Sequence, residues 1–436
     1  METIFAPATA RGRGGVAVVR VSGPDAEAAL AGLSGRGIGT IRQAEVRSLS
    51  DPVSGELLDR ALVLGFRGPH SFTGEDVVEL HLHGGLAVVD SVIEGLGKIV
   101  GLRLAEPGEF TRRAVENGKF DLAAAEGIAD LIEAETSAQR RQALRQMAGG
   151  FGEVCDGWRD RLIKILAYVE AEIDFADEDL PSDLSKSVMP GVTLLIDEIS
   201  GFLADRRGEK IRDGIFVAVV GPPNVGKSSL VNFLARRDAV IVSEEAGTTR
   251  DVVEVRMVLG GLPVTICDTA GLREATGSVE KEGIRRARMT AEQADLRIWM
   301  SCVGEGKSAE DVRSGDLFVL NKLDMEPDLS LEEGQIGISV TTGQGLEALS
   351  ERLEGQILTL FGETEAPVVT RERHRTELRS CKGALQSAVS LVERAGDVSL
   401  VAEELRRAVR AVGRITGRVD VEELLDVVFR DFCIGK

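Results

Sequence analysis

The sequence lacks the features that mark secreted, zinc-binding and membrane proteins. Its 436 residues contain five scattered cysteines, and no CxxC or Cys/His pair has metal-ligand spacing. No apolar run approaches the ~20 residues that a membrane span needs. The first residues also lack the basic and apolar segments of a secretory signal. We therefore expect a cytoplasmic protein without disulfides that does not enter a membrane.

Basic residues are also outnumbered by acidic ones, 52 to 71, which gives a formal net charge of -19. This balance disfavours broad attraction to nucleic acid, which needs clustered Lys and Arg. An RNA partner would have to bind a local basic patch. At ~150 residues per domain, the length predicts about three folding units.

The hydrophobic pattern changes twice along the chain. Strand-like segments such as Val16 to Val21 and Val77 to His83, with a helix from Leu86 to Leu96, predict an α+β domain at residues 1–118. Helical spacing dominates residues 119–213 and 363–436, including a helix from Val188 to Arg207 with Pro190 in its first turn. These helical segments flank an α/β pattern at residues 214–362. We predict one discontinuous helical domain that is interrupted by an inserted domain.

The inserted segment begins with a phosphate-binding motif. An apolar strand, Ile215 to Val220, runs into GPPNVGKS at residues 221–228 and then into a helical sequence. This order aims backbone N–H groups at phosphate oxygens, with Lys227 as a point charge on the β and γ phosphates and Ser228 on magnesium. The pattern predicts a P-loop in a Ras-like fold.

A second motif selects the base. The sequence Asn-Lys-Leu-Asp at 321–324 follows an apolar strand, Leu317 to Leu320, and the Asp324 carboxylate can accept two hydrogen bonds from the guanine edge. Adenine cannot donate that pair, so discrimination of ~10²-fold or more is expected. Ser339, Val340 and Thr341, after a strand from Ile336 to Ile338, can supply backbone contacts to the base. The nucleotide is therefore predicted to be GTP.

Two loops between these motifs complete the predicted nucleotide site. The segment EAGTTRD offers Thr249 as a second magnesium hydroxyl, and DTAG offers Asp268 as a carboxylate near the metal. Cys267, before DTAG, is expected to be a packing residue. The predicted GTP contacts are Asn224, Val225, Gly226, Lys227, Ser228, Ser229, Ser243, Glu244, Glu245, Ala246, Gly247, Thr248, Thr249, Asp268, Thr269, Ala270, Gly271, Asn321, Lys322, Asp324, Ser339, Val340 and Thr341.

The residue that orients the attacking water in many small GTPases is absent from its usual position after DTAG. Many small GTPases carry a Gln after DTAG, whereas Leu272 stands here and cannot orient water. Arg250 and Arg273 are both candidates for a cis arginine. Glu280 is either a water-orienting base or an exposed glutamate at a helix start.

The combined motifs resemble a known family. GPPNVGKSS, AGTTRD, DTAGLRE and NKLD, together with SFTGEDVVELH, EPGEFTRRA, NGKFDLAAAE and the terminal CIGK, are similar to the MnmE (TrmE) family of tRNA modification GTPases. The resemblance covers essentially the whole chain. It implies an N-terminal tetrahydrofolate-binding domain that forms a homodimer, a helical domain and an inserted G domain.

The resemblance also implies site residues and partners. It implies a potassium-dependent GTPase in which Asn224, Ser243, Glu245 and Thr248 bind K⁺, and Ser228 and Thr249 bind Mg²⁺. Glu280, Asn224 and Thr249 would be the catalytic group. Arg20, Glu79, Lys119 and Lys436 would bind 5-formyl- or methylene-tetrahydrofolate. With an FAD-dependent partner of the MnmG family, such a protein modifies carbon 5 of the wobble uridine of certain tRNAs. Cys433 is either a participant in that chemistry or a helix-end packing residue.

Two other functions remain possible from the sequence. A ribosome-assembly GTPase shares the nucleotide motifs but would lack the folate-like N-terminal segments. A GTP-gated scaffold would bind nucleotide with negligible turnover. His81 and His83 could also indicate a metal site, but no third ligand accompanies them, so surface or packing histidines are the alternative.

Overall fold

The computed structural model describes residues 2–174, 184–238, 254–268, 289–303, 315–362, 366–394 and 396–419, together with 425, 428–429, 432 and 435. By proximity the chain forms two compact units. The first comprises residues 1–129, 146–185 and 391–436, and the second comprises residues 130–145 and 186–390. The three predicted domains, which occupy four segments of the chain, are defined by fold type and not by proximity, and their boundaries stay a prediction.

The first unit is built on a six-stranded sheet in the order β3-β4-β5-β2-β1-β6. Only β1 and β6 are parallel among its neighbouring pairs. Alternating apolar residues of the sheet pack with α1 and α2 on one face, as the strand periodicity predicts. The elements are β1 (Thr3–Pro7), β2 (Val16–Ser22), α1 (Ala26–Ser34), β3 (Glu45–Ser50), β4 (Leu57–Phe66), β5 (Val77–His83), α2 (Leu86–Gly97) and β6 (Leu102–Leu104).

Helices follow this sheet along the chain. They are α3 (Glu109–Glu116), α4 (Leu122–Glu133), α5 (Ser137–Met147) and α6 (Gly150–Asp174). Near the end of the chain, α12 (Val398–Thr416) packs along α6 in the same unit. Leu425 and Phe429 from the last residues share a core cluster with Leu122 and Ala125 of α4. The C-terminal segment therefore returns to the N-terminal unit.

The second unit contains a six-stranded sheet in the order β12-β11-β10-β7-β9-β8. Only the β8–β9 pair is antiparallel. This is the α/β P-loop fold that the sequence predicted. The elements are β7 (Ile215–Val220), α9 (Lys227–Asp238), β8 (Glu254–Leu259), β9 (Leu262–Asp268), β10 (Leu296–Cys302), β11 (Leu317–Asn321), β12 (Gln335–Gly337) and α10 (Leu346–Phe361).

The two ends of the α/β segment that contains this sheet lie close together. Arg375 of α11 (Glu372–Glu393) is 2% exposed and donates to Glu209 of α8 (Arg207–Asp213) at 2.6 Å. It also donates to the carbonyl oxygens of Leu203 and Asp205, at 2.5 Å each. Since α8 precedes β7 and α11 follows α10, the two ends of the α/β segment are held together. This geometry fits a domain inserted into a helical one.

One helix differs from its predicted bounds. The structure places α7 at Leu184–Ala204, so it begins four residues before the predicted Val188 and ends three residues before Arg207. Pro190 therefore lies inside the helix and not in its first turn. The helix continues N-terminal of the proline, so Pro190 occupies an interior position, where the hydrogen bond of its own N–H is lost and its ring crowds the carbonyl of the residue four positions earlier.

The same region belongs to a long, apolar helical stretch. Residues Ser185–Asp213 are long and apolar enough to cross a membrane by length and composition, and 17% of the window is buried. Asp197 and Glu198 lie within this helical stretch. Length and composition alone are weak evidence for a span.

Candidate functional sites

The phosphate-binding loop connects β7 to α9 in the second unit. A Cβ atom on Gly221 would lie 2.1 Å from the carbonyl oxygen of Met300 in β10, so only glycine fits where the loop leaves the sheet. Asn224, at the turn of the loop, has φ of 62°, and its side chain is exposed. Asparagine is among the few residues that adopt this conformation readily. The loop therefore presents an amide side chain to solvent beside the cradle.

The two residues that would hold phosphate and magnesium lie at the start of α9. The Lys227 ammonium donates to the carbonyl oxygens of Gly221 and Pro222, at 2.9 and 2.7 Å. The Ser228 hydroxyl donates to the carboxylate of Asp268, which is 1% exposed at the end of β9. A hydroxyl beside a carboxylate is an oxygen set that Mg²⁺ accepts, so the site fits the predicted metal.

Cys267 precedes Asp268 and does no chemistry in this site. Its side chain is fully buried in β9, and burial raises the pKa of its thiol to about 12. A thiol held in its neutral form is not a nucleophile. The prediction that Cys267 is a packing residue is confirmed.

Asn321 joins the phosphate loop to the base-binding loops. Its Nδ2 donates to the carbonyl oxygen of Val225 at 2.7 Å, and its Oδ1 accepts from the N–H of Val340 at 3.2 Å. The residue is 4% exposed. A Cβ atom on Gly226 would lie 2.4 Å from Asn321 Nδ2, so this approach requires glycine in the loop. The asparagine therefore fixes the spacing between the phosphates and the base.

The remaining base-recognition residues follow Asn321. Lys322 has φ of 65°, and Asp324 lies with an exposed side chain in the 3-10 helix Leu323–Met325. On the next loop Ser339 is fully buried and its hydroxyl accepts from Thr342 N–H at 3.2 Å. The carboxylate of Asp324 is thus available to a ligand, while Ser339 shapes the loop that faces it.

Several predicted residues lie outside the described residues. They are Ser243, Glu244, Glu245, Ala246, Gly247, Thr248, Thr249, Thr269, Ala270, Gly271, Glu280 and Lys436, with Arg250, Leu272, Arg273 and Cys433. Their roles stay predictions. The described part of the nucleotide site consists of the phosphate loop, Asp268 and the base-recognition loops.

A second candidate site lies on the sheet of the first unit. Arg20 of β2 is paired in register with Glu79 of β5, and its Nε and Nη2 donate to Glu79 Oε1 at 3.1 and 3.0 Å. The side chains of both residues are 19% exposed. The Arg20 guanidinium lies 5.1 Å from the ring centre of Phe72 and 5.7 Å from that of Phe110. The pair thus combines charge with aromatic surface, which suits a flat polar ring.

Lys119 reaches the loop that carries Phe72. Its Nζ donates to the carbonyl oxygen of Pro69 at 2.6 Å, and Asn117 Nδ2 donates to Thr73 O at 2.7 Å. A Cβ atom on Gly74 would lie 3.0 Å from Asn117 and 3.3 Å from Lys119. Lys119 and the Phe72 loop therefore form one surface.

The end of the chain arrives at the same sheet. A Cβ atom on Gly435 would lie 1.8 Å from the carbonyl oxygen of Pro7 in β1. Pro7 is paired with Val19, the neighbour of Arg20. Gly435 has φ of 98°, so both its backbone and its packing favour glycine. This contact puts the residue before Lys436 against the sheet that holds Arg20 and Glu79.

The two histidines of β5 have separate environments. His83 Nδ1 lies 2.7 Å from Oδ1 of Asp59, and the backbone N–H of His83 donates to Oδ2 of Asp59 at 2.9 Å. Burial would raise the pKa of Asp59, but the hydrogen bonds from His83 lower it overall. His81 Nε2 lies 3.5 Å from Oε2 of Glu79. Within the described ranges, no group of three or more His, Cys, Asp or Glu residues is arranged to hold a metal ion.

Comparison with known proteins decides the family. A model described as the MnmE helical domain matches residues 122–433, and a model of the N-terminus of GTP-binding protein TrmE matches residues 3–119. The tRNA modification GTPase MnmE of Parvibaculum lavamentivorans is 56% identical over 440 residues, covering 100% of both chains. The chain belongs to the MnmE family of tRNA modification GTPases. The corresponding protein of Rhodospirillum rubrum is 51% identical over 459 residues, again covering 100% of both chains.

The family membership establishes a GTP hydrolase that acts in tRNA modification. The match to the TrmE N-terminus counts against the ribosome-assembly alternative, which would lack this segment. A solved structure of Era from Aquifex aeolicus is 25% identical and covers 39% of this chain and 66% of that one. Its TM-score is 0.26, so this likeness carries no further weight.

Sequence reasoning missed the non-local parts of both sites. Neither the two phenylalanines around Arg20 nor the contact of Gly435 with Pro7 has a signal in local spacing. The signal that could have found the aromatic pair is the position of Phe72 and Phe110 inside SFTGED and EPGEF, the segments that carry the family resemblance.

Proposed function

We propose that this chain is a potassium-dependent GTPase that drives the modification of carbon 5 of the wobble uridine in certain tRNAs. It would work with an FAD-dependent MnmG partner and install an aminomethyl or carboxymethylaminomethyl group. The one-carbon unit would come from 5-formyl- or methylene-tetrahydrofolate. The observation that carries the proposal is the arrangement of Lys227, Ser228 and Asp268 beside Asn321, in a chain that matches the family over its full length.

The described residues support the binding half of the GTPase proposal. Lys227 would exchange the loop carbonyls for phosphate oxygens, and the Ser228 hydroxyl would turn from Asp268 to magnesium. Asp324 would accept from the guanine edge. Magnesium, when bound, supplies positive charge to the β and γ phosphates. The chain itself holds the phosphate oxygens and excludes bases other than guanine.

Potassium would act at Asn224. The exposed amide on the left-handed turn offers a carbonyl oxygen beside the phosphate cradle, which is the donor type that a monovalent cation accepts. We propose that Ser243, Glu245 and Thr248 complete this site and that Thr249 and Glu280 act on magnesium and water. Positive charge at this place would offset the charge that develops on the transferred phosphoryl group.

The folate proposal rests on the first unit. Arg20 and Glu79 offer one cation and one carboxylate under two aromatic rings, and Lys119 adds a second cation on the neighbouring loop. A reduced folate has a flat polar pterin and an anionic glutamate tail. The carboxylate and the aromatic rings suit the pterin, and the cations suit the tail. Lys436 would join them, because Gly435 lies against β1.

The same sheet has an open apolar strip that supports a homodimer. On the face away from α1 and α2, Val16 is 61%, Val46 58% and Leu62 36% exposed. Val46 and Leu62 are paired on neighbouring strands, and Val16 lies on β2, two strands from Leu62. Exposed apolar side chains of this kind are typical of a surface that another chain covers. We propose a second copy of this chain as the occupant and the cytoplasm as the location.

The test is a GTP hydrolysis assay in potassium and in sodium chloride at equal ionic strength. We expect turnover to rise strongly with potassium alone. Asn224→Ala should lose this response but keep nucleotide binding, since Lys227 and Ser228 remain. Asn224→Asp keeps an oxygen ligand and should retain part of the response. Equal rates in both salts would remove potassium from the proposal and leave Arg250 or Arg273 to be tested.

A further inference from the structure

Helix α5 is basic in a chain that is acidic overall. Its residues, Ser137–Met147, include three arginines and no aspartate or glutamate, whereas the whole chain has 52 basic and 71 acidic residues. Ala138 and Gln142 lie on the buried side of the helix, and Arg140 is exposed on the other side. Arg145 is half-buried. The helix therefore presents positive charge to solvent.

Helix α8 lies beside α5 in the second unit and runs antiparallel to it. Gln139 Nε2 donates to the carbonyl oxygen of Arg212 at 3.0 Å, and Gln142 Nε2 donates to that of Gly208 at 2.8 Å. Residue numbers thus rise along α5 while they fall along α8. The C-terminal part of α5 is therefore next to the residues that precede Gly208.

Arginines from both elements lie at this end of the helix pair. Arg145 is three residues beyond Gln142 on α5, and Arg206 is two residues before Gly208 and is exposed. Within the described ranges, the side chains of Arg140, Arg145 and Arg206 make no ion pair and no hydrogen bond. These three residues form what we call the arginine surface.

The acidic residues of α8 and its flanks do not neutralise the arginine surface, because each is paired with another arginine. The pairs, at 2.6 to 2.9 Å, are Asp205 with Arg207, Glu209 with Arg375, and Asp213 with Arg212. Glu133 and Glu135 are exposed, but they precede the opposite end of α5. The positive charge of the arginine surface is therefore available to a partner.

We propose that the arginine surface binds the phosphate backbone of tRNA. An acidic protein repels nucleic acid except where cations are clustered and not already paired. The guanidinium group can donate two parallel hydrogen bonds to a phosphate, so arginine suits this contact. Phosphate contacts fix position and carry no sequence information, so the surface holds tRNA without choosing among tRNAs. This inference rests on the proposed action on tRNA and does not depend on folate or potassium.

The test measures the binding of a fluorescently labelled tRNA transcript to the full-length protein by anisotropy, between about 50 and 200 mM potassium chloride. Arg140→Ala, Arg145→Ala and Arg206→Ala together should weaken binding by about ten-fold or more. The slope of log affinity against log salt should fall by about 1 for each lost phosphate contact. Lysine at the same three positions keeps the charge and should retain most of the slope.

The matched control removes three arginines from α12 in the first unit. They are Arg406, Arg407 and Arg410, and each is paired with a glutamate. Their replacement with alanine changes the net charge of the protein by the same amount, yet tRNA affinity should stay within about two-fold, since paired arginines contribute little to phosphate binding. Without tRNA, both triple variants should hydrolyse GTP at the unsubstituted rate. Circular dichroism checks that each variant is folded.

Three results would overturn the inference. Unchanged tRNA affinity and salt slope in the first variant would show that the arginine surface does not contact tRNA. An equal loss in the α12 control would show that net charge, and not position, controls binding. Unchanged tRNA binding with weaker binding of an MnmG-family protein would assign the surface to a protein partner. The proposed action on tRNA fails separately, if the unsubstituted protein with its partner yields no modified uridine.

Discussion

Asn321 is the residue on which the nucleotide site depends most for its shape. Replacing it with alanine removes its bond to the buried Val225 carbonyl at 2.7 Å and its bond to the Val340 N–H at 3.2 Å. A buried polar group left without a partner costs about 1–3 kcal/mol, so two such groups cost about 2–6 kcal/mol. Since 1.4 kcal/mol is a factor of ten, we expect GTP affinity to fall by about 30-fold or more.

The assay for Asn321→Ala is the fluorescence titration of a labelled GTP analogue. Asn117→Ala is the matched control, because it removes one asparagine bond, to Thr73 O at 2.7 Å, in the first unit. The control should leave GTP affinity unchanged. The reasoning is refuted if Asn321→Ala binds GTP within two-fold of the unsubstituted protein while remaining folded.

Three further predictions concern the base, a buried ion pair and acid stability. Asp324→Asn should shift preference from GTP toward xanthosine triphosphate, because the amide donates where the carboxylate accepted; competition binding that still favours GTP would contradict this. Asp316→Ala should lower the free energy of unfolding of the second unit by about 3–5 kcal/mol in urea. The Arg297 side chain is 5% exposed and would lose its hydrogen bonds to Asp316 at 2.6 and 2.9 Å. A loss below about 1 kcal/mol would show that water replaces the carboxylate. Burial would raise the pKa of Glu109, but Arg103 and the other hydrogen-bond donors lower this pKa from 4.5 overall. The stability that Glu109 contributes is therefore complete above pH 4.5 and is lost as pH falls through the lowered value. Glu109→Gln should flatten the decrease of the unfolding temperature at acidic pH, and an unchanged decrease would contradict the assignment.

Local motifs carried most of what the sequence could predict. A strand, a glycine loop and a helix in succession define the phosphate cradle within a few residues, and the structure contains the predicted strand as β7 and the predicted helix as α9, which begins at Lys227. The strand-like pattern of residues 77–83 likewise predicted β5, which the structure places at Val77–His83. These features depend on neighbours in the chain, so spacing reveals them.

Contacts between distant residues could not be predicted in this way. Asn321 was identified as a base-recognition residue, but its bond to Val225, 96 residues away, appears only in the folded sheet. Gly435 gave no local signal for its place against Pro7. Pro190 was predicted in a first turn because proline favours that position, whereas α7 begins six residues before it, at Leu184. Tertiary packing decided each of these cases.

The most direct test of the account measures the modified nucleoside itself. Unmodified tRNA would be incubated with this protein, an MnmG-family partner, FAD, a reduced folate, GTP and potassium, and its nucleosides analysed by mass spectrometry. We predict a wobble uridine modified at carbon 5 with the unsubstituted protein, and a large loss of product with Ser228→Ala, which cannot hold magnesium. Equal product with Ser228→Ala, or product formed without GTP, would contradict the claim that GTP hydrolysis at this site drives the modification.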